Sequence, residues 1–288
     1  MYSTMPSSIF HWLSIEFRGE RNMILDKTKL DLIEKEIREC GEWAKVKQSD
    51  LHVKQKSDLS PVTEVDISIS NRVLSLLKDL FPEGGIISEE ETTEIKDDAP
   101  YTFVLDPIDG TDVYSQGLPS FCIALGILDD KKEPVGAMIY APRFGNATED
   151  GLFLRLDPEG RLMLNGKEWK TNGDKSVVRQ IAISSSNIWR FDFSKYRGKV
   201  RIFGSTILHI LAPVVFSGIQ ASINEPCFIW DYAAAHAVIK SQGMDLYNPD
   251  GSLYRYTEDF LHKNRSATCC YGGLKDSVDI LRELCPLR

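Results

Sequence analysis

The sequence predicts a layered protein of helices and sheets in two halves, an α+β half followed by an α/β half. Apolar residues recur every three or four positions over residues 27–48 and 64–80, which is typical of amphipathic helices. Strand-like segments bounded by turn residues then follow one another up to about residue 156. After about residue 175, strand-like and helix-like segments alternate, which favours an α/β arrangement.

The predicted elements divide the chain into three parts. Residues 1–22 form an N-terminal extension, with Met23 as an alternative start of the chain. Residues 23–175 form the α+β half, with short strands at 86–87 and 101–105, followed by strands at 121–128, 134–141 and 151–156 whose pattern suits an antiparallel sheet. Residues 176–288 form the α/β half, with strands at 181–184, 200–203 and 219–223 and helices at 205–217 and 231–241.

Composition and charge narrow the class of protein. The chain has 288 residues and 42% hydrophobic content, which is ordinary for a globular protein. Its formal net charge of -8 argues against a dedicated nucleic-acid binder, because such proteins carry a basic face. No apolar run approaches the roughly 20 residues that span a bilayer. Six cysteines without a CxxC pair favour a reducing compartment, so we expect a cytoplasmic protein that binds neither membranes nor nucleic acid polymers.

The strongest local motif is the segment Asp106-Pro107-Ile108-Asp109-Gly110-Thr111. An apolar strand delivers two carboxylates, three residues apart, into a turn that proline and glycine favour. Carboxylates that meet where a strand ends are suitable ligands for a hard cation such as Mg²⁺. The alternative is a solvated turn, because Asp, Pro and Gly are common turn residues. Ile108 breaks the alternation of a calcium loop and the Asp-x-Asp-x-Thr pattern of phosphatases that form an aspartyl intermediate.

Three further acidic sites support the metal hypothesis. Glu89 and Glu90 follow the strand at 86–87, and Asp58 and Asp66 flank a loop that contains Pro61. Asp231 precedes an alanine-rich helix, where a helix cap is the alternative interpretation. Carboxylates gathered in one place repel one another strongly, so a shared site would require divalent cations.

Together these residues resemble the inositol monophosphatase superfamily, the lithium-sensitive, Mg²⁺-dependent phosphatases. The resemblance rests on residues 106–111, the upstream Glu89-Glu90 pair, and Trp230-Asp231 with the alanines at 233–235, in the family's order and usual spacing. It covers about residues 27–285. It implies a layered αβαβα sandwich of the inositol monophosphatase and fructose-1,6-bisphosphatase type, often assembled as a homodimer.

The resemblance also implies a role for each matching residue. The implied ligands of two or three Mg²⁺ ions are Glu89, Asp106, the carbonyl of Ile108, Asp109 and Asp231. The implied catalytic residues are Asp58, Asp66, Glu90 and Thr111. The implied substrate contacts are Gly110, Thr111, Gly204, Ser205 and Thr206. Such a site would neutralise the phosphate of a small metabolite and activate a water for in-line attack, with no covalent phosphoenzyme.

The substrate is less narrowly defined. Residues 56–63, which include Asp58, resemble the branch that hydrolyses 3'(2'),5'-bisphosphorylated adenosine. Residues 112–114 match neither that branch nor the inositol branch. Asn224 stands where inositol enzymes tend to carry a glutamate, with Glu225 one place away. We therefore expect a bisphosphate nucleotidase-like enzyme, with an inositol-1-monophosphatase, a sugar-phosphate phosphatase such as a fructose-1,6-bisphosphatase, and a non-catalytic metal- or phosphate-binding relative as alternatives.

Overall fold

The structure is a computed structural model that describes residues 25–51, 53–55, 61–90, 96, 98–145, 151–262, 265–266 and 268–288. The N-terminal extension, Met23 and Asp58 lie outside the described residues. The helices within these ranges are α1 (Lys27–Lys47), α2 (Glu64–Leu80), α3 (Thr111–Ser115), α4 (Thr206–Val215), α5 (Ala233–Ser241), α6 (Glu258–Leu261) and α7 (Lys275–Leu284). Short 3-10 helices lie at Ser185–Arg190 and Ile229–Asp231.

The strands form two mixed sheets and a separate hairpin. They are β1 (Val53–Gln55), β2 (Pro61–Thr63), β3 (Gly85–Ser88), β4 (Thr102–Asp109), β5 (Cys122–Leu128), β6 (Pro134–Ala141), β7 (Leu152–Leu156), β8 (Leu162–Leu164), β9 (Lys167–Glu168), β10 (Gln180–Ile183), β11 (Lys199–Arg201), β12 (Ala221–Asn224), β13 (Asp245–Tyr247) and β14 (Cys270–Gly273). The larger sheet has the order β3-β4-β5-β6-β7-β8-β9, with only its first pair parallel. The smaller has the order β11-β10-β12-β14-β13, with β10 parallel to both of its neighbours. β1 pairs with β2.

The helices and sheets stack in five layers. α1 and α2 cover one face of the larger sheet through residues such as Ile37, Ile69 and Leu105. α4 and α5 lie between the two sheets, with α5 against β5 and β6 and α4 against β12. α7 covers the outer face of the smaller sheet through Val278 and Leu281. The predicted αβαβα sandwich is confirmed. The division at residue 175 stays a prediction. Across that position, α4 and α5 of the second half pack on the larger sheet of the first half.

Local patterns account for α1 and α2, both predicted from the sequence. In α1, the buried residues recur at helical spacing, and Asp26 caps the first turn by accepting hydrogen bonds from the N–H groups of Thr28 and Lys29. In α2, Thr63 and Asp66 form a reciprocal capping box. The capping box fixes Asp66 in the first turn of α2.

Among the described residues, no helix has both the length and the apolar character that a membrane span requires.

β4 extends farther than the sequence analysis predicted. The strand continues through Asp109, and the turn begins only at Gly110, whose φ is 85°. The expectation of a turn starting at Asp106 and Pro107 is therefore wrong. The strand has a register irregularity between Asp106 and Asp109, where the missing N–H of a proline is tolerated.

Candidate active site

A β-bulge brings Asp106 and Asp109 to the same side of β4. In a regular strand, residues three apart point to opposite faces. Here Asp106 pairs with Ala124 and Asp109 pairs with Cys122, so three steps along β4 oppose two steps along β5. The extra residue of a bulge restores a common orientation. The two carboxylates of the motif therefore point to the same side of β4 only because of this irregularity.

Asp231 joins these two aspartates from the 3-10 helix at Ile229–Asp231. One carboxylate oxygen from each of Asp106, Asp109 and Asp231 lies within 4.8 Å of the other two. Asp106 is 1% exposed and Asp109 is 4% exposed. The Oδ2 atom of Asp231 accepts a hydrogen bond from the N–H of Phe228 at 2.8 Å, and α5 has no side-chain cap. The alternative interpretation of Asp231 as a cap of α5 is therefore wrong.

Burial and mutual repulsion raise the pKa of all three carboxyl groups. For Asp106 and Asp231, burial holds the pKa well above its usual range, and the neighbouring carboxylates, Glu89 among them, raise it further. Burial also raises the pKa of Asp109, to about 6, against the lowering effect of hydrogen bonds from Ser205 and from the backbone N–H groups at the start of α4. The cluster is thus unfavourable when fully ionised and uncompensated.

The donor set fits a hard divalent cation. Oδ1 of Asp106 is buried and has no hydrogen-bond partner among the described residues. A buried, unpaired carboxylate oxygen is costly unless a cation or a donor satisfies it. All the candidate donors are carboxylate or carbonyl oxygens, the ligands that Mg²⁺ prefers. Glu89 and Ile108 line the same cleft as the three aspartates, so the predicted ligands lie together.

Asp109 also holds the N-terminus of α4. Its Oδ1 accepts from the N–H of Thr206 at 3.2 Å, and its Oδ2 accepts from the N–H of Ile207 at 3.0 Å. The hydroxyl of Ser205 donates to the same Oδ2. Ser205 is buried by these contacts and is not among the cleft-lining residues, whereas Gly204 and Thr206 are. The structure therefore places the side chain of Ser205 in support of Asp109 rather than in the cleft.

Thr111 and Asp66 form a second polar group beside the cluster. Oγ1 of Thr111 lies 3.2 Å from Oδ1 of Asp66 and 2.8 Å from the carbonyl oxygen of Ile108, and it can donate to one of them at a time. The N–H and the hydroxyl of Thr63 donate to Oδ2 of Asp66 at 2.9 Å and 2.6 Å. Burial raises the pKa of Asp66 to about 6, and the charge of Glu90 contributes to the rise. Glu90 itself does not line the cleft.

These groups meet in one cleft of about 390 Å³. The predicted residues that line it are Glu89, Asp106, Ile108, Asp109, Gly110, Thr111, Gly204, Thr206 and Asp231. Asp66 reaches the cleft through its contact with Thr111. The lining residues that the sequence analysis did not assign to the site are Asp112, Glu225, Pro226, Cys227, Phe228, Trp230 and Arg265.

Arg265 is the cleft residue that the sequence analysis missed most clearly. It is the one cationic side chain among the described residues that line the cleft. Its backbone position depends on Ser266, whose N–H donates to the carbonyl of Cys227 at 2.8 Å and whose hydroxyl accepts from the N–H of Cys227 at 3.1 Å. No local motif indicates a pairing between segments 39 residues apart.

Glu225 also lines the cleft, whereas Asn224 does not. Asn224 is buried, and its amide donates to the hydroxyl of Ser222. The hydroxyl of Ser186 donates to Oε2 of Glu225 at 2.8 Å. The one-residue offset that the sequence shows relative to inositol enzymes therefore does not remove a carboxylate from the cleft.

Comparisons of the sequence and of the fold with known proteins give one consistent result. The sequence profile of the inositol monophosphatase family matches residues 29–277. Inositol monophosphatase 3 of Solanum lycopersicum is 28% identical over 225 residues, which cover 72% of this chain and 80% of the relative. The Thermotoga maritima IMPase structure aligns with a TM-score of 0.73 at 21% identity, covering 89% of this chain and 96% of its own. A dual specific IMPase/NADP phosphatase bound with D-inositol-1-phosphate aligns with a TM-score of 0.72 at 18% identity, covering 90% of this chain and 95% of its own.

Proposed function

Because the chain belongs to the inositol monophosphatase family and is a phosphoric monoester hydrolase, we propose that it hydrolyses a small phosphorylated metabolite with two or three Mg²⁺ ions and water as the nucleophile. The observation that carries the proposal is the cluster of Asp106, Asp109 and Asp231, whose oxygens lie within 4.8 Å of one another. The unpartnered Oδ1 of Asp106 supports a bound cation. When bound, Mg²⁺ supplies positive charge that stabilises the anionic phosphate and its transition state, and it lowers the pKa of water.

The chain's own residues divide the remaining work. Glu89, Asp106, Asp109, Asp231 and the carbonyl of Ile108 would hold the cations. Thr111 and Asp66 are proposed to orient the attacking water and accept its proton. A raised pKa of about 6 makes Asp66 a stronger base than an ordinary carboxylate, while leaving it ionised at neutral pH. Gly110, Gly204 and Thr206 would contact the substrate from the cleft wall.

For the substrate, we propose 3'(2'),5'-bisphosphorylated adenosine as the first candidate. The support is the resemblance of residues 56–63 to the nucleotidase branch, a segment that includes Asp58. Inositol 1-phosphate is the second candidate, because Glu225 lines the cleft and offers a carboxylate to sugar hydroxyls. The resemblance also leads us to propose lithium sensitivity and a cytoplasmic homodimer; light scattering on the purified chain tests the dimer.

A phosphate-release assay tests the proposed function. We expect Mg²⁺-dependent, lithium-inhibited release from adenosine 3',5'-bisphosphate, inositol 1-phosphate or fructose 1,6-bisphosphate. Asp106→Asn keeps the side-chain shape but removes a ligand charge, so we expect kcat to fall by about 100-fold or more, a typical magnitude for losing one catalytic electrostatic group. Asp112→Asn is the matched control, because Asp112 lines the cleft but is exposed and outside the three-aspartate cluster.

Two outcomes would contradict the proposal. A folded wild-type chain that releases no phosphate from any of the three substrates in Mg²⁺ would favour a non-catalytic relative. Equal loss of kcat in Asp106→Asn and Asp112→Asn would show that the buried cluster has no special role.

A further inference from the structure

We propose that Arg265 selects substrates that carry a second phosphate on their leaving group. The inference rests on the proposed function, and it adds which chemical class of phosphorylated metabolite the cleft prefers. It follows from where Arg265 lies, how its backbone is held, and which charges surround it.

Arg265 lies on the Asp231 side of the cleft. Its guanidinium carbon is 5.2 Å from the centre of the Phe228 ring. The N–H of Phe228 donates to Asp231, and the Phe228 ring stacks on Trp230 with centroids 4.6 Å apart. Arg265 is therefore tied, through one aromatic ring, to the segment that positions the carboxylate of Asp231.

The proposed mechanism assigns this side of the cleft to the leaving group. Asp66 is in contact with Thr111, whereas Asp231 is held by the N–H of Phe228, so different segments of the chain hold the two carboxylates. If Thr111 and Asp66 hold the attacking water, in-line displacement sends the leaving alcohol away from them. The leaving group is therefore assigned to the wall that Asp231, Phe228 and Arg265 form.

Hydrogen bonds hold the backbone next to Arg265, and the guanidinium of Arg265 can bind an anion. Two hydrogen bonds join Ser266, the residue after Arg265, to Cys227 in the cleft wall: one is between backbone groups, and in the other the hydroxyl of Ser266 accepts from the N–H of Cys227. Ser266 is also buried. Among the described residues, the guanidinium contacts the Phe228 ring, and no carboxylate forms an ion pair with it. A guanidinium in a cation–π contact still has N–H groups that can form bidentate hydrogen bonds to a phosphate.

The other described charges in the cleft are carboxylates. Asp112 and Glu225 line it without belonging to the three-aspartate cluster, so they disfavour an anionic leaving group. A neutral leaving group such as inositol needs no cation at this position. A second phosphate does, and Arg265 is the one described lining residue that can offset its charge.

Two matched pairs of substrates test the inference on the full chain in Mg²⁺. Adenosine 3',5'-bisphosphate is compared with adenosine 3'-monophosphate, and inositol 1,4-bisphosphate with inositol 1-phosphate, so that each pair differs by one phosphate. We expect the wild type to have the higher kcat/KM on at least one bisphosphate. Arg265→Ala should lower that value by about 10- to 100-fold, the loss expected for one charge-assisted contact, and leave the matching monophosphate within about twofold.

Two further variants sharpen the result. Arg265→Lys should give an intermediate loss, because a lysine keeps the charge but not the planar fork. Arg197→Ala makes the same charge change at an exposed arginine by the edge of the smaller sheet and should leave both pairs unchanged. A wild type that prefers the monophosphates, or an Arg265→Ala variant that affects both members of a pair equally, overturns the inference while the phosphatase function stands. Absence of release from all four substrates instead counts against the proposed function itself.

Discussion

The hydroxyl of Thr111 lies between two acceptors, Oδ1 of Asp66 and the carbonyl oxygen of Ile108. In the proposed mechanism it orients the water whose proton passes to Asp66. Thr111→Val keeps the volume and removes the hydroxyl, so we expect kcat to fall by about 100-fold, the lower range for a general acid–base contribution. Steady-state kinetics at saturating Mg²⁺ measure the effect.

Thr111→Ser is the control for that substitution, because serine restores the hydroxyl on a smaller side chain. It should keep kcat within about tenfold of the wild type, since the acid–base function is retained. Thermal unfolding of both variants checks that α3 is intact. A Thr111→Val variant with wild-type kcat would remove Thr111 from the mechanism.

At the same scale, the sequence indicated which acidic residues meet in the cleft, but it did not indicate the hydrogen bonds that these residues accept. The motif at 106–111 indicated Asp109 as a ligand, but nothing in it indicated that Asp109 also accepts hydrogen bonds from Thr206 and Ile207. Those contacts join segments nearly one hundred positions apart, and only the packed fold brings them together. The role of Asp58 stays a prediction, because it lies outside the described residues.

Among the elements, α3 and the turn before α4 pack closely on one another. A Cβ on Gly204 would lie 2.3 Å from Cγ1 of Val113, and Gly204 has a φ of 82°. Gly204→Ala therefore adds a steric clash to the backbone strain of about 1–2 kcal/mol that a left-handed residue carries. We expect a loss in the free energy of unfolding of about 3 kcal/mol in total, measured with urea.

Gly117→Ala separates the two contributions to that loss. Gly117 has a φ of 78°, and a Cβ there would meet nothing within 4 Å. This variant should lose only the strain contribution of about 1–2 kcal/mol. Gly204→Ala should also lower kcat/KM, because Gly204 lines the cleft and α4 begins beside it. Equal losses of stability in the two variants would show that the close packing of Val113 has no energetic weight.

The elements also show what a sequence pattern can and cannot predict. α1 and α2 were predicted because their apolar spacing and caps are local. β14, with the sequence Cys-Tyr-Gly-Gly, has little strand propensity and is a strand because it pairs with β12 and β13. The bulge in β4 is likewise a property of its pairing with β5. α7 is different: Val278 and Leu281 have helical spacing, so a closer inspection of the sequence could have identified it.

In the whole molecule, the cleft gathers residues from the segment after β3, the end of β4, the start of α4 and the 3-10 helix before α5. No periodicity indicates that such distant segments converge. The resemblance to a known family predicted the convergence of the carboxylates, and it did not predict Arg265, which no quoted motif contains. The five-layer stacking produces the convergence, because the end of β4 and the start of α4 meet where the middle helix layer contacts the larger sheet.

The same convergence links the stability of the whole chain to pH and to metal. Burial raises the pKa of Asp109 from the ordinary 3.8 to about 6, and the pKa values of Asp106 and Asp231 lie well above 3.8. Between about pH 4 and pH 6, the folded chain therefore holds protons on these groups that the unfolded chain has released. Their contribution to stability is present below pH 4 and is lost as the pH rises through 6 and beyond. Without metal, the cluster destabilises the chain most at neutral pH.

Bound cations remove that penalty, so Mg²⁺ should raise the melting temperature more at pH 7.5 than at pH 5, measured against EDTA. Carboxyl groups whose pKa is lowered, such as Asp31 and Glu133, change stability in the opposite sense.

Asp231→Asn isolates the cluster because it leaves those groups unchanged and keeps an oxygen for the N–H of Phe228. In EDTA at pH 7.5 this variant should melt at least about 3 °C above the wild type, the shift that corresponds to about 1 kcal/mol in a chain of this size, with a smaller difference at pH 5. The increase in melting temperature that Mg²⁺ produces should also be smaller in this variant. A variant that melts below the wild type in EDTA at pH 7.5, yet responds fully to Mg²⁺, would show that the carboxylates neither repel one another nor share a cation.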